Sequence, residues 1–316
     1  MVKHFMNDQI KKPFTKNSAW PWINTSESLP ETMPDGSPWP KISIVTPSYN
    51  QAQYLEETIR SVLMQNYPNL EYIIIDGGST DGSVGIIKKY EPWLTYWVSE
   101  KDKGQADAIN KGFKHCTGQI GAWINSDDLY LPNAFNEVIS AYKKSSSKHP
   151  GVISGITKVT DENLNLIYIY EGKDFSIDNL IKLCIIPQAS TFFTLDVFNH
   201  LNGLNDNYEL AFDYHFWLRA ALISDIIFFP REIAIWRNYT DIKTFRMQKR
   251  SIYESIKAGF EVYRKISPIY IKRLIYEVFP YKEKKVFFNK FIRIIRFLFI
   301  KISLILIRAL GLYPGK

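Results

Sequence analysis

Two adjacent carboxylates, Asp127 and Asp128, follow the apolar run GAWIN and give the sharpest chemical signal in the sequence. Neighbouring negative charges repel each other, and a bound cation relieves that repulsion. Carboxylate oxygens are hard ligands of the kind that Mg²⁺ and Mn²⁺ prefer. The pair therefore predicts a divalent-metal site, while a solvated loop with Asp128 at a helix N-terminus is the alternative.

A second polar cluster begins at Asp76, which ends the apolar run EYIIID and precedes Gly77-Gly78. Two glycines let backbone amides approach a ligand closely, although a plain tight turn capped by Asp76 would need the same residues. The segment KDKGQADAIN adds Gln105 and Asp107. It fits either a ligand site or an ordinary first helical turn.

Asp213 lies in the aromatic segment YELAFDYHFWLRAAL. A carboxylate in apolar surroundings has a raised pKa, which suits a general base. Pairing with Arg219, or a helix cap, is the structural alternative. The five histidines form no HxxxH set, and no nucleophilic triad is indicated.

Alternating strands and helices must position these residues. Apolar, β-branched runs predict strands over 41–47, 71–76, 94–100 and 120–125, and helical spacing predicts helices over 53–65, 84–90, 105–115 and 132–142. This alternation predicts βαβ units and a mainly parallel sheet, in which ligands bind at the carboxyl ends of the strands. Beyond Pro150 the pattern is mixed, with a helix predicted over 208–222.

Composition and charge exclude several classes of protein. The 316 residues are 46% hydrophobic and carry a net charge of +7. Because 12 basic and 2 acidic residues lie between Lys265 and Lys316, the rest of the chain is slightly acidic, which argues against nucleic acid as a partner. The two cysteines lack metal or disulfide spacing, and the first residues lack the apolar core of a secretory signal, so we expect a cytoplasmic location.

Three segments together resemble the family 2 glycosyltransferases, which are inverting, nucleotide-sugar-dependent enzymes of the GT-A fold. They are ISIVTPSYNQAQYLEETIRSVLMQNYPNLEYIIIDGGSTDGS, DKGQADAINKGF and WINSDDLYLP, in family-like order and spacing. The resemblance extends over about residues 39–239 and is strongest to bacterial enzymes of polysaccharide and lipopolysaccharide synthesis. It implies a Rossmann-like α/β sheet with flanking helices, and a nucleotide-sugar donor, with a UDP-sugar favoured. It also implies a glycan or lipid-linked acceptor and Mg²⁺ or Mn²⁺.

The resemblance also implies roles for individual residues. Asp128 would coordinate the ion, Asp127 would face the ribose or the ion, and Asp213 would be the catalytic base. The remaining assignments are nucleotide or donor contacts for Thr46, Pro47, Tyr49, Asp76, Gln105 and Asp107, and an acceptor-side position for Gln188.

The chain departs from its relatives at two positions. Ile109 stands where many relatives carry an arginine, and Tyr239 stands where many carry a histidine, so a third protein ligand for the metal is in question. Two other functions stay open, a nucleotidyltransferase with a similar sheet and a non-catalytic sugar-nucleotide-binding protein. The absence of a glycine-rich phosphate loop with a nearby basic residue argues against the first, and a GxGxxG oxidoreductase motif is also absent.

The predicted organisation has three parts. Residues 1–40, rich in proline, form an irregular arm. Residues 41–245 form the GT-A domain, with a nucleotide-sugar half over 41–130 and an acceptor half over 131–245. Residues 246–316 form a helical segment whose basic amphipathic helix, 285–308, is predicted to lie on the cytoplasmic face of the membrane. A helix packed on the catalytic domain or on a dimer partner, and a spanning or re-entrant helix, are the alternatives.

Overall fold

The computed structural model describes Pro21, Ser26 and residues 29–172, 174–239, 243–280 and 286–314. Side chains are described throughout these ranges except at 244, 245 and 286–291. Most of the predicted arm and Lys285 at the start of the predicted tail helix therefore lie outside the described residues. Trp39, at the end of the arm, is buried, and its indole N–H donates to the carbonyl of Pro30 over 2.9 Å.

The described residues form nine strands. They are β1 Ile42–Ser48, β2 Leu70–Asp76, β3 Tyr96–Ser99, β4 Ile120–Trp123, β5 Leu129–Tyr130, β6 Pro150–Thr160, β7 Leu166–Tyr170, β8 Thr191–Thr194 and β9 Asp225–Arg237.

Helices are interspersed with the strands up to β9, and four helices follow β9 in the described part of the chain. They are α1 Ala52–Leu63, α2 Ser83–Tyr90, α3 Gln105–Phe113, α4 Ala134–Lys144, α5 Ile177–Lys182, α6 Leu195–His200, α7 Phe212–Ile223, α8 Lys243–Arg246, α9 Gln248–Tyr263, α10 Pro268–Val278 and α11 Val286–Ala309. Among the described residues, no helix combines the length and the hydropathy needed to cross a lipid bilayer.

The strands form one sheet in the order β3-β2-β1-β4-β8-β6-β9-β5, with β7 added to β6. The first four strands are parallel, as the βαβ pattern predicts, and β8 runs antiparallel between β4 and β6. Strands β1 and β2 are buried on both faces, and each presents apolar side chains to both, as the consecutive residues Ile44–Val45 and Ile73–Ile75 do. Their register sets Ser48 beside Asp76, so the polar residues that follow each strand meet at one edge of the sheet.

The chain divides into two compact units that are discontinuous in sequence. The first contains the described residues of Met1–Gly172, Pro187–Gly203 and Ser224–Tyr239, and it holds the whole sheet. The second contains those of Lys173–Ile186, Leu204–Ile223 and Thr240–Lys316 and is helical. The predicted linear boundaries at 40, 130 and 245 stay a prediction.

The helix predicted over 208–222 begins later, at Phe212. The carboxylate of Glu254 on α9 accepts hydrogen bonds from the backbone N–H groups of Glu209, Leu210 and Ala211. The Glu254 carboxylate thus accepts the hydrogen bonds that the carbonyls of a preceding helical turn would otherwise accept. A tertiary cap, which helical spacing alone does not reveal, therefore sets the start of α7.

Candidate active site

Asp127 and Asp128 follow β4 and differ in how the protein holds them. Asp128 is 1% exposed, and its carboxylate accepts from the backbone N–H of Arg237 over 3.1 Å and from Asn125 Nδ2 over 3.0 Å. Asp127 is only half-buried, and its Oδ2 accepts from the phenol of Tyr239 over 2.8 Å. Asp127 is thus the more accessible carboxylate of the pair.

The two carboxylates have raised pKa values. Burial raises the pKa of Asp127, and the Tyr239 hydrogen bond and the charge of Arg237 oppose that change. Burial, followed by the negative charge of Asp127, raises the pKa of Asp128 well above its usual value. A cation bound here would lower the electrostatic cost of ionising both groups.

Arg237, at the end of β9, connects the acidic pair to α1. Its backbone N–H donates a hydrogen bond to the Asp128 carboxylate, and its Nη1 donates to the main-chain oxygen of Asp127 over 2.8 Å. Its Nη2 forms an ion pair with Glu57, and its guanidinium lies 4.7 Å from the ring centroid of Tyr54. Sequence reasoning did not single out Glu57 or Tyr54, because neither belongs to a motif with evident chemistry.

Tyr239, where the family resemblance implies a histidine, contacts one carboxylate of the acidic pair. Its phenol donates a hydrogen bond to Asp127 and accepts a long one, of 3.4 Å, from Gln51 Nε2. The centroid of its ring lies 5.4 Å from that of Tyr54. Burial raises the pKa of Tyr239, so the phenol stays protonated and donates. Tyr239 therefore orients a carboxylate of the site.

Gln105, Asn125 and Gln188 form a chain of amides beside Asp128. Gln105 Nε2 donates to Asn125 Oδ1 over 2.6 Å, and Asn125 Nδ2 is 3.3 Å from Gln188 Oε1. Gln188 Nε2 in turn donates to the carbonyl of Trp123 over 2.8 Å. The structure thus joins a predicted donor-side residue to a predicted acceptor-side residue through Asn125. In the sequence, Asn125 could be noticed because it lies between the end of a strand and the acidic pair.

Asp76 is fully buried and holds the turn after β2. Its Oδ2 accepts from the N–H groups of Gly78 and Ser79 and from Ser99 Oγ, over 3.1, 2.9 and 2.6 Å. A Cβ on Gly77 would lie 2.6 Å from Asp102 Oδ2 and 3.2 Å from the ring of Tyr49, so glycine permits this close approach. The turn after β2 and Tyr49 after β1 therefore lie at the same edge of the sheet.

The other predicted nucleotide residues differ in accessibility. Tyr49 is 63% exposed, whereas Thr46 and Pro47 are buried and Thr46 Oγ1 lies 3.1 Å from Tyr72 Oη. Asp107 accepts from the N–H of Lys103 over 3.0 Å and pairs with Lys111 over 3.5 Å. These are ordinary contacts of the first turn of α3. Ile109 on the same helix is fully buried in the core.

Asp213 belongs to the helical unit, in the first turn of α7. Burial raises its pKa to about 6, which confirms the predicted direction, and its Oδ1 accepts from the N–H of Tyr214 over 2.7 Å. A carboxylate with such a pKa is ionised near neutral pH but remains a useful proton acceptor.

The donor set at Asp127 and Asp128 fits a hard divalent cation by its oxygen chemistry. Within the described ranges, no cluster of three or more His, Cys, Asp and Glu side chains could hold a metal ion. The described protein thus offers two adjacent carboxylates, and an ion bound there would take its remaining ligands from water or a substrate.

Comparisons with known proteins identify relatives of this chain by sequence and by fold. The family model described as "Glycosyl transferase family 2" matches residues 43–195. An uncharacterised glycosyltransferase of Mycobacterium tuberculosis is 31% identical over 189 residues, which is 59% of this chain and 71% of that protein. One of Rickettsia typhi is 27% identical over 229 residues, 70% of this chain and 71% of that protein.

Solved structures show the same fold. The structure of S. aureus TarS 1–349 in complex with UDP has a TM-score of 0.58 at 16% identity and covers 78% of this chain and 74% of that chain. A longer TarS structure is covered to 46% of its length. The mannosyltransferase of Pyrobaculum calidifontis in complex with GDP-Man and Mn²⁺ has a TM-score of 0.54 at 20% identity, with 76% of this chain and 69% of that chain covered.

The mixed α/β sheet with flanking helices matches the GT-A type glycosyltransferases among these structures. The chain belongs to glycosyltransferase family 2, as the sequence resemblance implies, and it is a glycosyltransferase.

Proposed function

We propose that the protein is an inverting enzyme that moves a sugar from a nucleotide-diphosphate sugar, favouring a UDP-sugar, to a hydroxyl of a glycan or lipid-linked acceptor. We place this reaction in cell-surface polysaccharide or lipopolysaccharide synthesis. The observation that carries the proposal is the pair Asp127–Asp128 at the end of β4, joined through Asn125 to Gln105 and Gln188. TarS structures that contain UDP or UDP-GlcNAc support the choice of donor.

Asp127 and Asp128 would hold Mg²⁺ or Mn²⁺. The raised pKa values of both carboxylates support this role, because a cation favours their charged forms. When bound, a divalent ion would supply positive charge to the leaving nucleoside diphosphate. Tyr239 and Arg237 would fix Asp127 by its carboxylate and its main chain, respectively.

The donor nucleotide would lie at the ends of β1 and β2. Tyr49 offers an exposed ring against which a base could stack, and Thr46 and Pro47 would shape the strand end beneath it. Asp76 would act by building the turn, because both of its oxygens already accept hydrogen bonds from the protein. Gln105 would contact the sugar or diphosphate, and Asp107 would stabilise the start of α3.

Asp213 would serve as the general base. Its carboxylate would take the proton of the acceptor hydroxyl as that oxygen attacks the anomeric carbon from the face opposite the leaving group. A single displacement of this kind inverts the anomeric configuration. The pKa of about 6 supports the role, since the base is ionised at neutral pH before the acceptor binds. Gln188 would lie on the acceptor side.

We also propose a cytoplasmic location, peripheral on the cytoplasmic face of the membrane, with contact through residues 285–308. A lipid-linked acceptor would be presented at that surface.

Purified full-length protein tests the proposal in two steps. A thermal-shift screen against UDP-, GDP- and dTDP-sugars with and without Mn²⁺ identifies the donor, and release of nucleoside diphosphate measures turnover. Binding without release would indicate a non-catalytic sugar-nucleotide-binding protein. Release of pyrophosphate in a reaction of sugar phosphate with nucleoside triphosphate would indicate a nucleotidyltransferase.

A further inference from the structure

The outward face of α11 carries a stripe of large apolar side chains. Six of them, exposed by 48% to 63%, recur three or four residues apart on one side of the helix: Ile294, Phe297, Leu298, Ile302, Ile305 and Leu306. A surface helix normally turns its apolar stripe toward the protein. Here a continuous apolar surface faces away from it, and such surfaces mark binding sites.

The inward side of α11 explains this orientation. Arg296 is 5% exposed, and its guanidinium donates to the carbonyls of Phe279 over 2.7 Å and Tyr276 over 3.3 Å. These carbonyls belong to the C-terminal end of α10, where backbone acceptors lack helical partners and a cation is favoured. Ile292 and Ile307 are buried on the same side. Arg296 and the two isoleucines thus occupy the inward side of α11, opposite the apolar stripe.

Three cations share the exposed side of α11 with the apolar stripe, two of them within it and one at its edge. Arg293, Lys301 and Arg308 are exposed, and the sequence from Val286 to the end of the chain contains no Asp or Glu. A second copy of this helix would bring like charges together without any acidic partner on α11. A surface that is both apolar and negatively charged satisfies the stripe and the cations at once.

We propose that the outward face of α11 is a binding surface for an anionic lipid bilayer, in whose plane the helix lies. The apolar stripe would enter the boundary between headgroups and acyl chains, and Arg293, Lys301 and Arg308 would bind lipid phosphates. Lipid binding of this kind requires neither the donor nor transfer. It gives the proposed membrane location a defined set of residues and depends on the proposed function only for the acceptor that it would bring near.

Sedimentation of the full-length protein with vesicles tests this proposal. Phosphatidylcholine vesicles with and without phosphatidylglycerol are mixed at low salt with the parent and three variants. The first, Phe297→Glu with Ile305→Glu, disrupts the stripe, and the second replaces Arg293, Lys301 and Arg308 by glutamine. The third, Leu222→Glu, is the matched control at an exposed leucine on α7.

We expect the parent and the control to sediment with phosphatidylglycerol vesicles. The stripe variant should bind at least tenfold more weakly. The triple glutamine variant should bind about a hundredfold more weakly, because each cation at an anionic surface contributes about fivefold. Donor-induced thermal shifts in solution should be the same for all four proteins, which separates a failure of lipid binding from a failure of the proposed function.

Three results would overturn the proposal. The parent could remain in the supernatant with anionic vesicles at low salt, or the stripe variant could bind as tightly as the parent. Alternatively, sedimentation velocity could reveal a parent dimer that the stripe variant dissociates, which would assign the face to a second copy of the chain.

Discussion

Replacement of Asp213 by asparagine should separate a catalytic carboxylate from a structural one. Asparagine keeps the shape of the side chain and an oxygen that can accept from the N–H of Tyr214. It removes the proton acceptor, so turnover should fall by at least about a hundredfold, the usual size of a general-base effect. Donor binding should change little if Asp213 acts only on the acceptor hydroxyl.

The same substitution has a predictable effect on stability. The pKa of Asp213 is raised from 3.8 to about 6, so the folded protein favours the protonated acid. As the pH rises through this window, the unfolded chain ionises first and the parent loses stability, up to about 3 kcal/mol at about 1.4 kcal/mol for each pKa unit. Asparagine has no charge to bury. The variant should therefore be at least as stable as the parent well above pH 6, and this advantage should shrink toward pH 3.8.

Two measurements check the prediction, release of nucleoside diphosphate against pH and thermal unfolding of both proteins over the same range. The parent rate should fall on the acid side of about pH 6, and the residual rate of the variant should lack that limb. Asp206→Asn, at an exposed carboxylate of the same unit, is the control. Near-parental turnover would refute the base assignment, and a collapse of donor affinity or equal destabilisation at every pH would make Asp213 a binding or structural residue.

Three further substitutions test the metal and nucleotide assignments. Asp128→Asn should abolish transfer while keeping the fold, since it removes the buried charge without changing the shape; near-normal turnover with Mg²⁺ or Mn²⁺ would contradict the metal assignment. Tyr239→Phe removes the 2.8 Å hydrogen bond to Asp127, so about tenfold more Mn²⁺ should be needed before UDP binding is detected by calorimetry. If the variant needs no more Mn²⁺ than the parent, the phenol does not support the metal site. Gly77→Ala would place a methyl group 2.6 Å from Asp102 Oδ2 and should weaken donor binding in the thermal-shift assay, whereas unchanged binding would exclude that turn from the nucleotide site.

Much of the sheet and the position of the site could be predicted from the sequence. Strands β1 and β2 are apolar on both faces because both faces are buried, and this pattern is visible without a structure. The acidic pair could be located because it comes shortly after the buried strand β4. In each case the signal is local, since a few neighbouring residues share one environment.

Contacts between distant segments could not be predicted in this way. Arg237 pairs with Glu57 from 180 residues away in the sequence, and no spacing rule connects them. Strand β5 has two residues and exists because Leu129 and Tyr130 pair with β9. Arg296 on α11 donates to carbonyls at the end of α10, a helix that precedes it in the chain. Tertiary partners fix all of these features, and helical or strand periodicity does not encode those partners.

Slow hydrolysis of the donor in water labelled with heavy oxygen tests the central claim most directly, because it identifies the bond that breaks without requiring the acceptor. The protein is incubated with the nucleotide sugar that gives the largest thermal shift, with and without Mn²⁺, and the products are followed by NMR and mass spectrometry. We predict Mn²⁺-dependent release of nucleoside diphosphate and of a free sugar that first appears with inverted anomeric configuration and carries the label. Sugar 1-phosphate with nucleoside monophosphate, label in the nucleotide, or retained configuration would contradict inverting glycosyl transfer.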